Sequence, residues 1–115
     1  MVIESAMEYG RVVNMDFKSN DNRIWLEDAD GNEVAFLEYA KEGPDVVNIL
    51  HTVVDDSLAG RGIAGELNKA GAEKLRSEGK KAVLSCSYSV RWFEKHPEYQ
   101  DILYTEDSDK EEDHR

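Results

Sequence analysis

The stretch that decides the fold is DDSLAGRGIAGEL, residues 55–67. It follows an almost unbroken apolar run, Val46–Val54, and leads into a segment with helical spacing. Strand, glycine-rich turn and helix start, in that order, build an anion site. Gly60 and Gly62 carry no Cβ, so their backbone can approach a ligand closely and take up positive φ. Their N–H groups join the first N–H groups of the helix, which no intrahelical carbonyl accepts. Arg61 sets a mobile positive charge beside them. The competing reading is a tight turn that opens a helix and binds nothing, and the loop by itself does not choose between the two.

Downstream, Ile63, Leu67, Ala70, Gly71 and Leu75 share one helical face. Glu66, Lys69, Glu73 and Arg76 cover the other, with Lys69 and Glu73 as an i, i+4 pair. Gly79 marks the helix stop. Residues 81–85 read as a short buried strand, and a strand–helix–strand unit of this length predicts a parallel pair. A second helix is expected over residues 89–95, with Val90 and Phe93 inward and Pro97 as its stop.

Upstream, Val46–Val54 barely alternates, so a strand buried on both faces is expected. Arg23–Glu27 and residues 33–39 are β-rich runs joined by Asp28-Ala29-Asp30-Gly31-Asn32, a strong hairpin signal. The same acids resemble the opening of a calcium loop. They lack the third spaced acid and the distal glutamate, so the turn reading holds. Residues 41–45, KEGPD, form the next turn. Residues 12–17 offer a first strand, after a lead-in of no clear period. Antiparallel hairpins followed by one βαβ unit predict an α+β fold: a mixed, mostly antiparallel sheet with two main helices.

The chain has 115 residues, of which 40% are hydrophobic and 34% charged, enough for one domain with a single core. The organisation expected is a domain over residues 1–104 and an acidic, disordered tail over residues 105–115. No apolar stretch is long enough to span a bilayer, and the first residues lack the pattern of a secretory signal. One cysteine makes no internal disulfide, and a cytoplasmic setting is expected. The net charge of −11 argues against a nucleic-acid partner. It favours a cationic one, such as an amine. It also opposes a polyanionic ligand, so local donors in the glycine loop must overcome that field.

The loop resembles the acetyl-CoA pyrophosphate loop of the Gcn5-related N-acetyltransferases (GNAT), whose pattern is Gln/Arg-x-x-Gly-x-Gly/Ala. Gly62 and Ala64 fill the last two fixed places, while Ala59 stands where Gln or Arg is usual. Three flanking segments narrow the match: His51-Thr52-Val53-Val54, Ser85-Cys86-Ser87-Tyr88 and His96-Pro97-Glu98-Tyr99. In that order they resemble the small YjdJ-type subfamily, over about residues 23–103. The resemblance implies a minimal GNAT-like fold with acetyl-CoA as cosubstrate. It implies an N-acetyltransferase acting on an amine, the alternative being a non-catalytic acyl-CoA-binding module with a protein partner.

By position, the resemblance places pantetheine against the backbone of Thr52, Val53 and Val54. It places the pyrophosphate on Ala59, Gly60, Arg61, Gly62, Ile63 and Ala64, with Ser87 nearby. An N–H near Val53 would polarise the thioester carbonyl. The family's helices between the first two strands have no counterpart here, since residues 18–22 leave room only for a turn. An open acceptor side is therefore expected.

Three catalytic candidates follow. Cys86 ends the second parallel strand, where it is a small buried hydrophobe, a wall of the cavity, or a nucleophile that accepts the acetyl group. His51 is a structural histidine or a general base. Tyr88 is a half-buried aromatic or, as the resemblance implies, the acid that protonates the departing thiolate. Trp92 belongs to the core or lines the cleft, and His96-Pro97 reads as a helix stop. His51, Cys86 and His96 have no spacing that recommends zinc.

Overall fold

The structure, a computed structural model, describes residues 16–105. Five strands run in sheet order β1 (Lys18–Ser19), β2 (Arg23–Glu27), β3 (Glu33–Gly43), β4 (Val46–Val54) and β5 (Lys81–Leu84). The first three pairings are antiparallel and β4–β5 is parallel. Helix α1 (Ile63–Ser77) forms the crossover and α2 (Ser87–Glu94) follows β5. Short 3₁₀ turns occupy Asp56–Leu58 and Pro97–Ile102. The mixed α+β architecture is the one expected. The strand anticipated over residues 12–17 falls largely outside the described residues, as do residues 106–115 of the tail. No helix among the described residues is long and apolar enough to cross a membrane.

The turn chemistry explains the hairpins. Asn20 Oδ1 accepts from the N–H groups of Asn22 (3.0 Å) and Arg23 (2.9 Å), so β1 returns as β2 within three residues. Asp28 Oδ1 likewise accepts from Asp30 and Asn32, and Gly31 supplies φ +86°. The third hairpin is tighter than the sequence suggests. β3 continues through Lys41, Glu42 and Gly43, which leaves only Pro44 and Asp45 as the turn.

All the core side chains of the strands lie on one sheet face. Ile24, Leu26, Ala35, Leu37, Tyr39, Val47 and Ile49 are buried there. Helix α1 crosses this face, with Gly71 against Ile24 and Leu37. Burial therefore does not extend to both faces of β4: it is one-sided, and Val53 is 45% exposed. β5 is also only partly buried, with Lys81 exposed and Val83 and Leu84 half-buried. Its outer edge is met by the chain at Leu103 and Tyr104, where Tyr104 N–H donates to Ala82 O (2.8 Å).

Helix α2 begins at Ser87, two residues earlier than expected, and its inward face differs from the one expected. Ser89, Trp92 and Phe93 are buried, whereas Val90 is 37% exposed. At about 100° per residue, Val90 sits roughly a quarter-turn off the Ser89–Trp92–Phe93 stripe. Trp92 is core. It stacks on His96 (centroids 4.0 Å) and meets Phe93 edge-on at 5.0 Å. His96 Nδ1 lies 2.7 Å from Trp92 O, which fits the helix-stop reading of His96-Pro97. The last 3₁₀ turn is clamped to α1. Arg76 makes a two-point ion pair with Asp101, and Tyr99 O–H donates to Glu73 (2.7 Å).

Candidate active site

The gap between β4 and β5 is made by two local events. The first is where the pairing ends. The parallel register runs from Val46↔Lys81 to Ile49↔Leu84, and then the N–H groups of both Ser85 (2.9 Å) and Cys86 (3.0 Å) turn onto Ile49 O. Beyond Ile49 the two strands part.

The second is a bulge in β4. Tyr39 pairs with Ile49 and Glu38 with His51, so Leu50 is the extra residue. The bulge reverses the alternation of the strand. Thr52, opposite the buried Leu37, now points to the helix face, while His51, opposite Glu38, points to the uncovered face. Asp55 N–H donates to Val34 O (2.8 Å), which fixes the hydrogen-bonding parity back along the ladder. By that parity Val53 engages Phe36 on β3, whereas Thr52 and Val54 turn their N–H and C=O groups toward the gap. The main-chain donor anticipated near Val53 therefore belongs to Thr52 or Val54.

The gap leads to the glycine loop. Gly60 (φ +82°) and Gly62 (φ +77°) both adopt the left-handed region, and nothing lies within 4 Å of a Cβ added to either. Gly62 is the N-cap of α1 and offers no side-chain cap. The first helical bond runs from Glu66 N–H to Gly62 O (3.1 Å), so the N–H groups of Ile63, Ala64 and Gly65 have no intrahelical acceptor. They sit at the positive end of a 15-residue helix. Ala59 closes the preceding 3₁₀ turn, its N–H donating to Asp56 O (3.1 Å). Arg61 is half-buried between the two glycines.

Cys86 is the N-cap of α2 and is 8% exposed. Its Sγ lies 3.6 Å from Thr52 Oγ1 across the gap. Burial pushes the Cys86 thiol up. Hydrogen bonds from Ser89, from the Thr52 hydroxyl and from the Tyr88 N–H favour the thiolate more strongly, and they hold it below the usual thiol range. Ser87 is exposed on the first turn of α2. The Tyr88 hydroxyl reaches α1, 3.5 Å from where a Cβ on Gly65 would stand, and Trp92 Nε1 is at 3.3 Å from the same point. Gly65 thus permits the close approach of α1 and α2 beside the loop.

The three catalytic candidates are not brought to one point. Cys86 and Tyr88 belong to the helix side of the sheet, and His51 stands exposed on the opposite face. No three metal-ligating side chains among the described residues lie together. Two residues absent from the sequence-based expectation prove central: Asn68 and Ser89, both fully buried. Asn68 Nδ2 donates to Ala64 O (2.9 Å) and Thr52 Oγ1 (3.3 Å), while Asn68 Oδ1 accepts from Ser89 Oγ (2.6 Å). Ser89 Oγ also lies 3.5 Å from Thr52 Oγ1. The signal for Asn68 was its place about 20° round the helix from Leu75, well inside the apolar face.

Comparison with known proteins places this geometry. The model of the GCN5-related N-acetyl-transferase family matches residues 8–102. Protein NATD1 of Mus musculus is 30% identical over 93 residues, 81% of this chain and 84% of that protein. A GCN5-like protein from Staphylococcus aureus, solved in solution by NMR, superposes with a TM-score of 0.65 at 33% identity, over 79% of this chain and 89% of its own. Rv2747 from Mycobacterium tuberculosis, solved with CoA, shares the fold at a TM-score of 0.55 and 18% identity, over 66% of this chain and 47% of its own.

Proposed function

Because the chain belongs to the GCN5-related N-acetyltransferase family, we propose that it binds acetyl-CoA and transfers the acetyl group to an amine. The observation that carries this reading is the continuity of gap and loop. Strand β4 leaves β5 at Ile49, Thr52 and Val54 turn main-chain groups into the opening, and the opening ends at an uncapped helix behind two positive-φ glycines. A thioester arm fits the first part and a pyrophosphate the second. Within the family, the segments around His51, Cys86 and His96 support assignment to the YjdJ-type subfamily.

In this reading Gly60, Gly62 and the N–H groups of Ile63 and Ala64 hold the pyrophosphate, with Arg61 and Ala59 at the rim. Thr52 and Val54 hold the pantetheine arm, and Ser87 borders it. An unprotonated amine attacks the thioester carbonyl and the carbonyl oxygen gains charge, which an N–H from Thr52 or Val54 stabilises. The C–S bond then breaks, and the thiolate of coenzyme A takes a proton from the Tyr88 phenol or from water. His51, on the open face, receives the proton of the amine directly or through water. Cys86 lines the wall of the gap, and transfer is direct.

The test is turnover with a panel of primary amines, alongside calorimetry with acetyl-CoA. The wild type is expected to bind acetyl-CoA and to release free thiol only when an amine is present. Loss of turnover in Cys86→Ala with binding intact would replace direct transfer by transfer through that thiol. A second reading, a non-catalytic acyl-CoA-binding module with a protein partner, is favoured by one observation. The Asn20–Asn22 turn puts no helix between β1 and β2, and no described helix covers the outer sheet face. Binding of acetyl-CoA with no turnover across the panel would select it.

A further inference from the structure

Asn68 stands at the centre of a side-chain network that joins all three walls of the gap. Its Nδ2 reaches Ala64 O in the first turn of α1, at the glycine loop, and Thr52 Oγ1 on β4. Its Oδ1 takes the hydroxyl of Ser89 from α2. The proton count closes in one way. Both Nδ2 protons and the single Ser89 proton are committed, so with the thiol protonated Thr52 Oγ1 accepts from Asn68 and from Cys86 and turns its own proton to Ser89. Neither Asn68 nor Ser89 is exposed, and a buried polar group is stable only when its partners are in place. An apolar pair would fill the same space without that demand. The network therefore admits one relative setting of α1, β4 and α2.

We infer that Asn68, backed by Ser89, is a positioning residue that couples the two halves of the coenzyme site. It fixes the distance between the pyrophosphate loop at Gly60–Ala64 and the thioester strand at Thr52–Val54. This rests on the coenzyme reading above. A ligand that occupies both halves gains affinity over its fragments only if the halves are held at the span it needs, and such linkage is worth about 10²–10⁴-fold. Asn68→Leu keeps the volume and removes all three hydrogen bonds. Ser89→Ala removes the bond to Oδ1 and the longer contact with Thr52 Oγ1 but leaves both Nδ2 bonds of Asn68, so it remains informative if the leucine variant does not fold.

The experiment is calorimetry with three probes: acetyl-CoA, ADP for the loop half and pantetheine for the strand half. In Asn68→Leu, acetyl-CoA affinity is expected to fall at least ~10-fold while ADP and pantetheine change less than about twofold. Ser89→Ala should show the same pattern at smaller amplitude. A fall of equal factor for all three probes would mean that Asn68 only supports the fold, and would overturn the coupling alone. Unchanged acetyl-CoA affinity in both variants would overturn it too. Failure of the wild type to bind acetyl-CoA would overturn both this inference and the coenzyme reading.

Discussion

Alanine at position 62 would meet no neighbour, since nothing lies within 4 Å of an added Cβ. The effect of Gly62→Ala on the fold is then set by its φ of +77°. Holding an L-residue in the left-handed region costs roughly 1–2 kcal/mol, and the stiffer unfolded chain offsets about 0.4–1 kcal/mol of that. A net loss of ~1 kcal/mol lowers Tm by about 4–8 °C in a domain of this size. Gly31→Ala is the matched control, with φ +86° and equally open surroundings in the β2–β3 hairpin. The two variants should therefore melt at about the same temperature. They should part on coenzyme. A Cβ on Gly62 holds an anion away from the loop N–H groups, and loss of one charge-assisted bond of roughly 1.5–3 kcal/mol weakens acetyl-CoA binding about 10–100-fold. Thermal melts and calorimetry on the three proteins decide. Equal acetyl-CoA affinity in Gly31→Ala and Gly62→Ala would refute the loop as the pyrophosphate site. A far larger fall in Tm for Gly62→Ala would refute the strain argument.

The remaining predictions concern the walls of the gap and the C-terminal clamp. Alkylation of Cys86 by iodoacetamide should inflect below the free-thiol value of about 8.5, and Thr52→Val should move the inflection upward. An inflection at or above the free value would contradict the hydrogen-bond account. Gly65→Val pushes a side chain into Trp92 and the Tyr88 hydroxyl, with an expected loss of about 1–3 kcal/mol by urea denaturation. Unchanged stability would show that α1 and α2 do not pack as described. The Tyr99 hydroxyl is pushed up to about 12, chiefly by its hydrogen bond to Glu73. Because that exceeds the unfolded value of about 10, its contribution is intact below pH ~10 and fades as pH rises toward ~12. The stability advantage of wild type over Tyr99→Phe should therefore shrink from pH 9 to pH 11, and a constant gap would contradict it. His51→Ala should lower kcat for amine acetylation with acetyl-CoA affinity unchanged, and an unchanged kcat would contradict its role as the proton acceptor.

The fold was legible because its local signals agree. A glycine loop between an apolar run and a helical stripe, with Asp-Ala-Asp-Gly and Gly79 as punctuation, leaves few topologies. The site was legible only as a set of segments. The polar residues of Val46–Val54, Asn48, His51 and Thr52, follow no alternation, so its sequence fixes no register and the extra residue Leu50 is not marked in it. That one bulge decides which face His51 and Thr52 occupy, and so why His51 and Cys86 stand apart. Asn68 was hidden by its polarity, which suggests a solvated position until its angle beside Leu75 is counted. The start of α2 at Ser87 was missed because helix starts are poorly marked where no side chain caps the turn.

The central claim is that one ligand spans the glycine loop and the β4 edge. The most direct measurement is an NMR titration of the ¹⁵N-labelled protein with acetyl-CoA and its desulfo analogue, following the amides of Thr52, Val54, Gly60, Gly62 and Ile63. The account predicts saturable shifts at strand and loop together, with one dissociation constant. Shifts confined to the loop, or none at millimolar ligand, would contradict it.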